Sequence, residues 1–215
     1  MRIPLLVLAT FAVASLQPSS VATRDHLIPQ YGPEWKSYGN YRHLLRKKLG
    51  LAPYDCERIM IIPDLGPEGS VSVSSKSGQA RVILLTPSKS FWQSRETHEH
   101  VEIIRTEHEL PNETAARFKK ACERLLGDIR PLKPLASNSA VRVVDGLPLF
   151  EIALQRATGA AISGDVPYPY PGKKTAAVEP LFQSLVAYCE GKKPGRKQLL
   201  LRIERQIAII LDQKS

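Results

Sequence analysis

Cysteine is scarce in this chain, with Cys56, Cys122 and Cys189 the complete set and none of them in a C-x-x-C pair. That spacing gives no footing to a zinc ribbon or a thioredoxin-like redox couple. Catalytic signatures are missing too. The sequence holds no G-x-S-x-G nucleophile elbow and no H-E-x-x-H metal helix. The Gly172-Lys173-Lys174-Thr175 stretch lacks the upstream glycine that a phosphate-cradling loop needs. Internal repeats and low-complexity tracts are absent, which excludes solenoids and biased linkers. Beyond the N-terminus, no run is long and apolar enough to cross a bilayer. With 43% apolar and 24% charged residues, the composition is that of a folded chain, not a disordered one.

What is present begins at the N-terminus. Arg2 precedes an uncharged apolar run from Ile3 to Leu16, and two small-x-small exits follow, Ala12-Val13-Ala14 and Ser20-Val21-Ala22. Signal peptidase admits only short side chains at those positions, so residues 1–22 read as a cleaved export signal. The run is shorter than the roughly 20 apolar residues of a spanning helix, and Gln17-Pro18-Ser19-Ser20 ends it. The expected location is extracytoplasmic, periplasmic or secreted, with no membrane span in the mature chain. Residues 23–33 read as a linker or N-terminal arm. Residues 34–215 read as one domain, within the usual size range.

Local patterning then assigns the elements. Trp35, Tyr38, Tyr41, Leu44 or Leu45, and Leu49 recur at three-to-four spacing and predict a helix from Glu34 to Leu49, stopped by Gly50. Arg58 to Ile62 is a short β-rich run. Ser70 to Ser75 alternates valine with serine and pairs through Lys76-Ser77-Gly78-Gln79 with Ala80 to Leu85 as a hairpin. A further strand spans His100 to Thr106. Phe118, Ala121, Cys122 and Leu125 predict a helix over Pro111 to Leu126. Asp145-Gly146 reads as a two-residue hairpin turn between Ala140–Val144 and Leu147–Leu154. Thr158 to Gly172 is turn-rich. Helices over Thr175–Tyr188 and Gln198–Leu211 close the chain. Strands that cluster and pair locally predict an α+β fold, with an antiparallel sheet built from hairpins and helices packed on one face.

The formal charge is +9, or +8 without Arg2. It is uneven, because Lys192 to Ser215 hold seven basic residues against Glu204 and Asp212, a net of +5. Lys192, Lys193, Arg196 and Lys197 are candidate binding residues for an anionic envelope surface or an acidic protein partner. Export makes nucleic acid an unsuited partner. The competing reading is a solvated helix face that keeps the chain in solution.

Three further features bear on function. Tyr168 and Tyr170 lie in Pro167-Tyr168-Pro169-Tyr170-Pro171, whose prolines would hold the tyrosines extended as a binding edge or as a rigid crossover. His98, His100 and His108 fall among five glutamates, and residues two apart on a strand share a face. Such a set would hold a divalent metal, or would equally be the charged edge strand that resists edge-to-edge pairing. Cys122 and Cys189 sit on the apolar stripes of their helices, as a bridge between helices or as buried thiols. Phe91-Trp92 reads as a core cap at a strand exit. Asn112-Glu113-Thr114 matches a glycosylation sequon near the surface.

The reading that follows is an exported, non-enzymatic binding or interaction protein that uses no cofactor. Two alternatives stand beside it. One is a metal-binding protein or metal-dependent enzyme using His98 and His100. The other is an inhibitor or immunity protein against a secreted toxin.

Overall fold

A computed structural model describes residue 27 and residues 36–50, 56–62, 68–76, 78–94, 100–129, 149–155, 161–166 and 172–212. The export segment, the Ala140–Val144 strand with its Asp145-Gly146 turn, His98, Tyr168 and Tyr170 lie outside the described residues.

Among the described residues six strands form one antiparallel sheet: β1 (Cys56–Ile62), β2 (Gly69–Lys76), β3 (Gln79–Pro87), β4 (Ile103–Glu109), β5 (Leu149–Gln155) and β6 (Ala161–Asp165). Their spatial order is β4-β3-β2-β1-β5-β6. The first four strands make a meander, and the β5–β6 hairpin adds to the free side of β1. Six helices accompany it: α1 (Lys36–Leu49), α2 (Phe91–Ser94), α3 (Asn112–Leu126), α4 (Lys173–Ala176), α5 (Val178–Cys189) and α6 (Arg196–Asp212). The fold is α+β.

Strand alternation sorts the core. Val71, Val73, Val82, Leu84, Ile59, Phe150 and Ile152 face one way and pack under α3, α5 and α6. Each helix supplies the stripe its periodicity dictates, with Phe118, Cys122 and Leu125 from α3, Leu181 and Leu185 from α5, and Ile203, Ile207 and Ile210 from α6. Phe150 and Phe182 meet edge to face, 5.7 Å between centroids.

The opposite face is covered as well. Tyr41, Leu45 and Leu49 of α1 pack with Ile83, Leu85 and Phe91 in a second, smaller cluster. The serine side of β2, which alternation alone leaves toward water, is therefore buried, and Ser70 Oγ donates to the Leu49 carbonyl at 2.7 Å. Helices cover both faces of this sheet, three on one side and α1 on the other.

β5 has β1 on one side and, over Glu151–Gln155, β6 on the other. Two local expectations need correction. The turn-rich Thr158–Gly172 stretch contains β6. Its Gly164 is there because of close approach. A Cβ at that position would sit 3.0 Å from Leu27 Cβ and 3.2 Å from Ile129 Cδ1. Leu27 is fully buried and bridges to Ile129, so the N-terminal arm docks on the core at that point. The expected single helix over Thr175–Tyr188 is two, α4 and α5, broken at Ala177. Pro180 explains the break, since it has no N–H to continue a helix but is tolerated in the first turn of a new one.

Replacing Gly164 with Ala should lower stability by about 1–3 kcal/mol through overpacking against Leu27 and Ile129. The shift in urea midpoint checks it; an unchanged midpoint would mean the arm is not seated there.

Candidate functional site

The helical layer presents a basic outer surface. Because Leu199, Ile203, Ile207 and Ile210 commit one side of α6 to the core, Lys197, Leu201, Arg202 and Arg205 are left exposed on the other. Leu201 is 64% exposed, the most of any large apolar side chain described. Arg117 pairs with Glu204 and fixes α6 against α3. Among the described residues, Lys193, Lys197, Arg202 and Arg205 have no carboxylate partner, whereas Lys192 pairs with Glu190 at 2.7 Å. The preceding loop turns through Gly191 (φ +67) and Gly195 (φ +107), conformations that favour glycine, and this turn leaves Lys192, Lys193 and Arg196 exposed. The predicted basic residues Lys192, Lys193, Arg196 and Lys197 are all exposed, in this loop and the first turn of α6. Leu201 was missed by sequence reasoning. Its signal was available, because it lies on the side of α6 opposite the Leu199, Ile203, Ile207 and Ile210 stripe.

Of the predicted histidines, the two described, His100 and His108, are not brought together. His100 is exposed just ahead of β4, and His108 is half-buried near its far end. Eight residues of extended chain span about 26 Å, so His108 cannot share a metal ion with His100, and a three-histidine site is ruled out by geometry. His108 instead packs its ring against Tyr188, 5.6 Å between centroids. Among the described residues no three His, Cys, Asp or Glu side chains converge as a metal site would require. His108 does line a shallow cleft of about 290 Å³ with Arg81, Glu107 and Glu109. A hydrogen bond from Arg105 holds the Glu107 carboxyl below its ordinary range, while Arg81 approaches the same carboxylate at 3.4 Å. Tyr188 donates to the Glu109 carbonyl at 2.9 Å, and burial raises its phenol above the usual range.

Buried polar groups gather beneath α1. Glu68 is 1% exposed and accepts hydrogen bonds from the Tyr41 hydroxyl, from Ser90 Oγ at 3.1 Å and from the Phe91 N–H at 3.1 Å. Glu151 is completely buried and is held in a fork by Arg46 Nε and Nη2, at 3.0 to 3.2 Å. Asp165 stands opposite Glu151 on β6 and is 3% exposed. These hydrogen bonds tie α1 and the start of α2 to the sheet. These carboxylates serve the fold. Asn112 does likewise at the surface: its amide accepts from Ala80 N–H at 2.8 Å and donates to the Gly78 carbonyl at 2.9 Å, clasping the β2–β3 turn. Phe91 is a core cap as expected, buried in the α1-side cluster.

The Cys122–Cys189 bridge is a correction. Both are buried free thiols. Cys189 directs its Sγ toward the edge of the sheet, 3.2 Å from the Thr106 carbonyl on β4. Cys122 belongs to α3, which packs over β2 and β5 instead, so the two thiols serve different parts of the layer. Burial pushes the Cys189 thiol up to about 11.

Comparisons with protein-family models, with curated proteins and with solved structures return no match for this chain.

Both thiols should resist alkylation in the native protein at neutral pH, because the thiolate is the reactive form and burial disfavours it at Cys189. Denaturant without reductant should expose both to iodoacetamide. Peptide mapping checks this, and recovery of a Cys122–Cys189 linked peptide would overturn it.

Proposed function

We propose that this chain is an exported, non-enzymatic interaction protein that docks an anionic surface through the outer face of α6 and the loop before it. The observation that carries the reading is that Lys197, Arg202 and Arg205 share the exposed side of α6 with Leu201, and among the described residues none of the three is in an ion pair, the nearby Glu204 being held by Arg117. A helix needing only solubility is served by mixed charges, with acids and bases interspersed. Cations clustered around one apolar side chain suit an interface where headgroups supply negative charge and a leucine enters the acyl boundary. Among the described residues no helix is long and apolar enough to cross a membrane, so the attachment would be peripheral.

Chemistry argues in the same direction. The acids buried under α1 are occupied by internal hydrogen bonds, and Cys189 is a protonated thiol at neutral pH. Neither offers a poised nucleophile or general base. The basic surface offers electrostatic attraction, which is long-ranged, salt-sensitive and indifferent to fine geometry.

Co-sedimentation with phosphatidylglycerol vesicles, against phosphatidylcholine vesicles as the neutral control, tests the reading. Each lysine or arginine near an anionic membrane contributes about 1 kcal/mol. The Lys197→Gln/Arg202→Gln/Arg205→Gln variant should therefore bind on the order of a hundredfold more weakly. Added salt should weaken the unaltered chain in the same manner. Equal affinity of variant and unaltered chain, or equal binding to both vesicles, would remove this surface from the account.

A further inference from the structure

β4 stands at one end of the sheet, paired with β3 on its inner side. Among the described residues no strand pairs with its outer side. Two hydrogen bonds establish which backbone groups point where. Ser88 N–H donates to the Glu102 carbonyl at 2.8 Å, and Leu110 N–H donates to the Ala80 carbonyl at 3.0 Å. In an antiparallel ladder successive residues turn their N–H and C=O alternately toward and away from the neighbour. Even-numbered positions from 102 to 110 therefore face β3. Ile103, Arg105, Glu107 and Glu109 turn their backbone groups outward.

Edge strands commonly carry charges that repel stray partners. On β4 those charges have an internal order. Arg105 and Glu107 share one face of the sheet, two residues apart, with their side chains 44% and 31% exposed. Ile104, on the other face, is 51% exposed. The sequence Ile103-Ile104-Arg105-Thr106-Glu107-His108-Glu109 places a cation and an anion symmetrically about Thr106.

We propose that β4 is a self-pairing edge, by which two copies of this chain join antiparallel about a two-fold axis at Thr106. A two-fold contact brings residue i of one copy against j of the other, and j against i. Outward backbone groups meet outward groups only when the two paired residue numbers add to an even value. Centring on Thr106 meets that condition and sets Arg105 opposite Glu107 twice. It also sets Ile103 opposite Glu109, and Ile104 opposite His108, which covers the exposed isoleucine. Moving the axis to Arg105 sets Arg105 against itself, and moving it to Glu107 sets Glu107 against itself between two Arg105–Glu109 pairs, so the Thr106 register is the one that opposes Arg105 to Glu107 with no like charges facing. Like charges directly opposite are destabilising. The charges that reject an arbitrary strand thus select a second copy in one register, extending a six-stranded sheet into a continuous one twice as wide. This inference is independent of the basic surface on α6, which belongs to a different element.

Sedimentation equilibrium of the full chain reads the outcome directly. The unaltered chain should show twice the chain mass, and Arg105→Glu or Glu107→Arg alone should each fall to one chain mass. Mixing those two variants should restore the dimer, because two acidic side chains at positions 105 and 107 of one copy then face two basic ones at 107 and 105 of the other. The R105E/E107R double exchange should restore it within a single protein. Circular dichroism verifies that each variant is folded, and the mixing result stands even if one variant is less stable. An unaltered chain that stays at one chain mass at the highest concentration measured overturns the proposal. So does a dimer that survives either single reversal, or two reversed variants that fail to associate on mixing.

Discussion

The carboxylate of Glu151 lies inside the protein, on the middle of a strand, and the guanidinium of Arg46 is what makes that position tolerable. An ionised carboxylate taken out of water without a partner costs several kcal/mol, whereas one held in a bidentate fork keeps its hydrogen bonds. That single constraint makes the sheet two-sided. Serines at positions 70, 72 and 74, together with Glu151 and Asp165, would make a wet outer face if nothing lay over them. Arg46 brings α1 down onto that face, and Tyr41, Leu45 and Leu49 then close it against Ile83, Leu85 and Phe91. Glu68 repeats the device at the next corner, linking Tyr41 to the start of α2.

With both faces of the sheet covered, the described residues leave edges and outer helix surfaces for interaction. α6 divides its residues between the two tasks. Its isoleucines are spent on the core, and its lysine and arginines face outward around Leu201. The Arg117–Glu204 pair holds the helix in that rotation, so its outer face stays turned away from the core. β4 divides by strand alternation instead, sending Thr106 and His108 toward the helices and Arg105 and Glu107 toward the α1 side. In both elements the surface chemistry is a by-product of which side the core requires.

The sequence made much of this legible, and the reasons for the remainder are physical. Periodicity found α3 and α6 closely, because their stripes of Phe118, Ala121, Cys122 and Leu125, and of Leu199, Ile203, Ile207 and Ile210, are regular. The Val71/Val73 alternation found the hairpin. It could not show that the serine side is buried, since burial there depends on Arg46 meeting Glu151, 105 residues away. β6 was hidden because Gly164, which reads as a turn, is required by the close approach of Leu27 and Ile129. Pro180 was a visible signal for the α4–α5 break that helical periodicity alone passes over. Of the candidate site residues, Lys192, Lys193, Arg196 and Lys197 are exposed, whereas His100 and His108 are separated by the length of β4. A disulfide between Cys122 and Cys189 looked feasible only because sequence carries no information on which strands each helix covers.

The Arg46–Glu151 clamp is the contact on which the covered sheet most depends, and a paired substitution measured by urea unfolding tests it directly. Arg46→Met alone should lower stability by about 3 kcal/mol, because it strands a buried carboxylate. Adding Glu151→Leu should recover most of that loss, since two apolar side chains leave no charge to satisfy. An Arg46→Met chain as stable as the unaltered one would contradict the account, as would a double variant no more stable than the single.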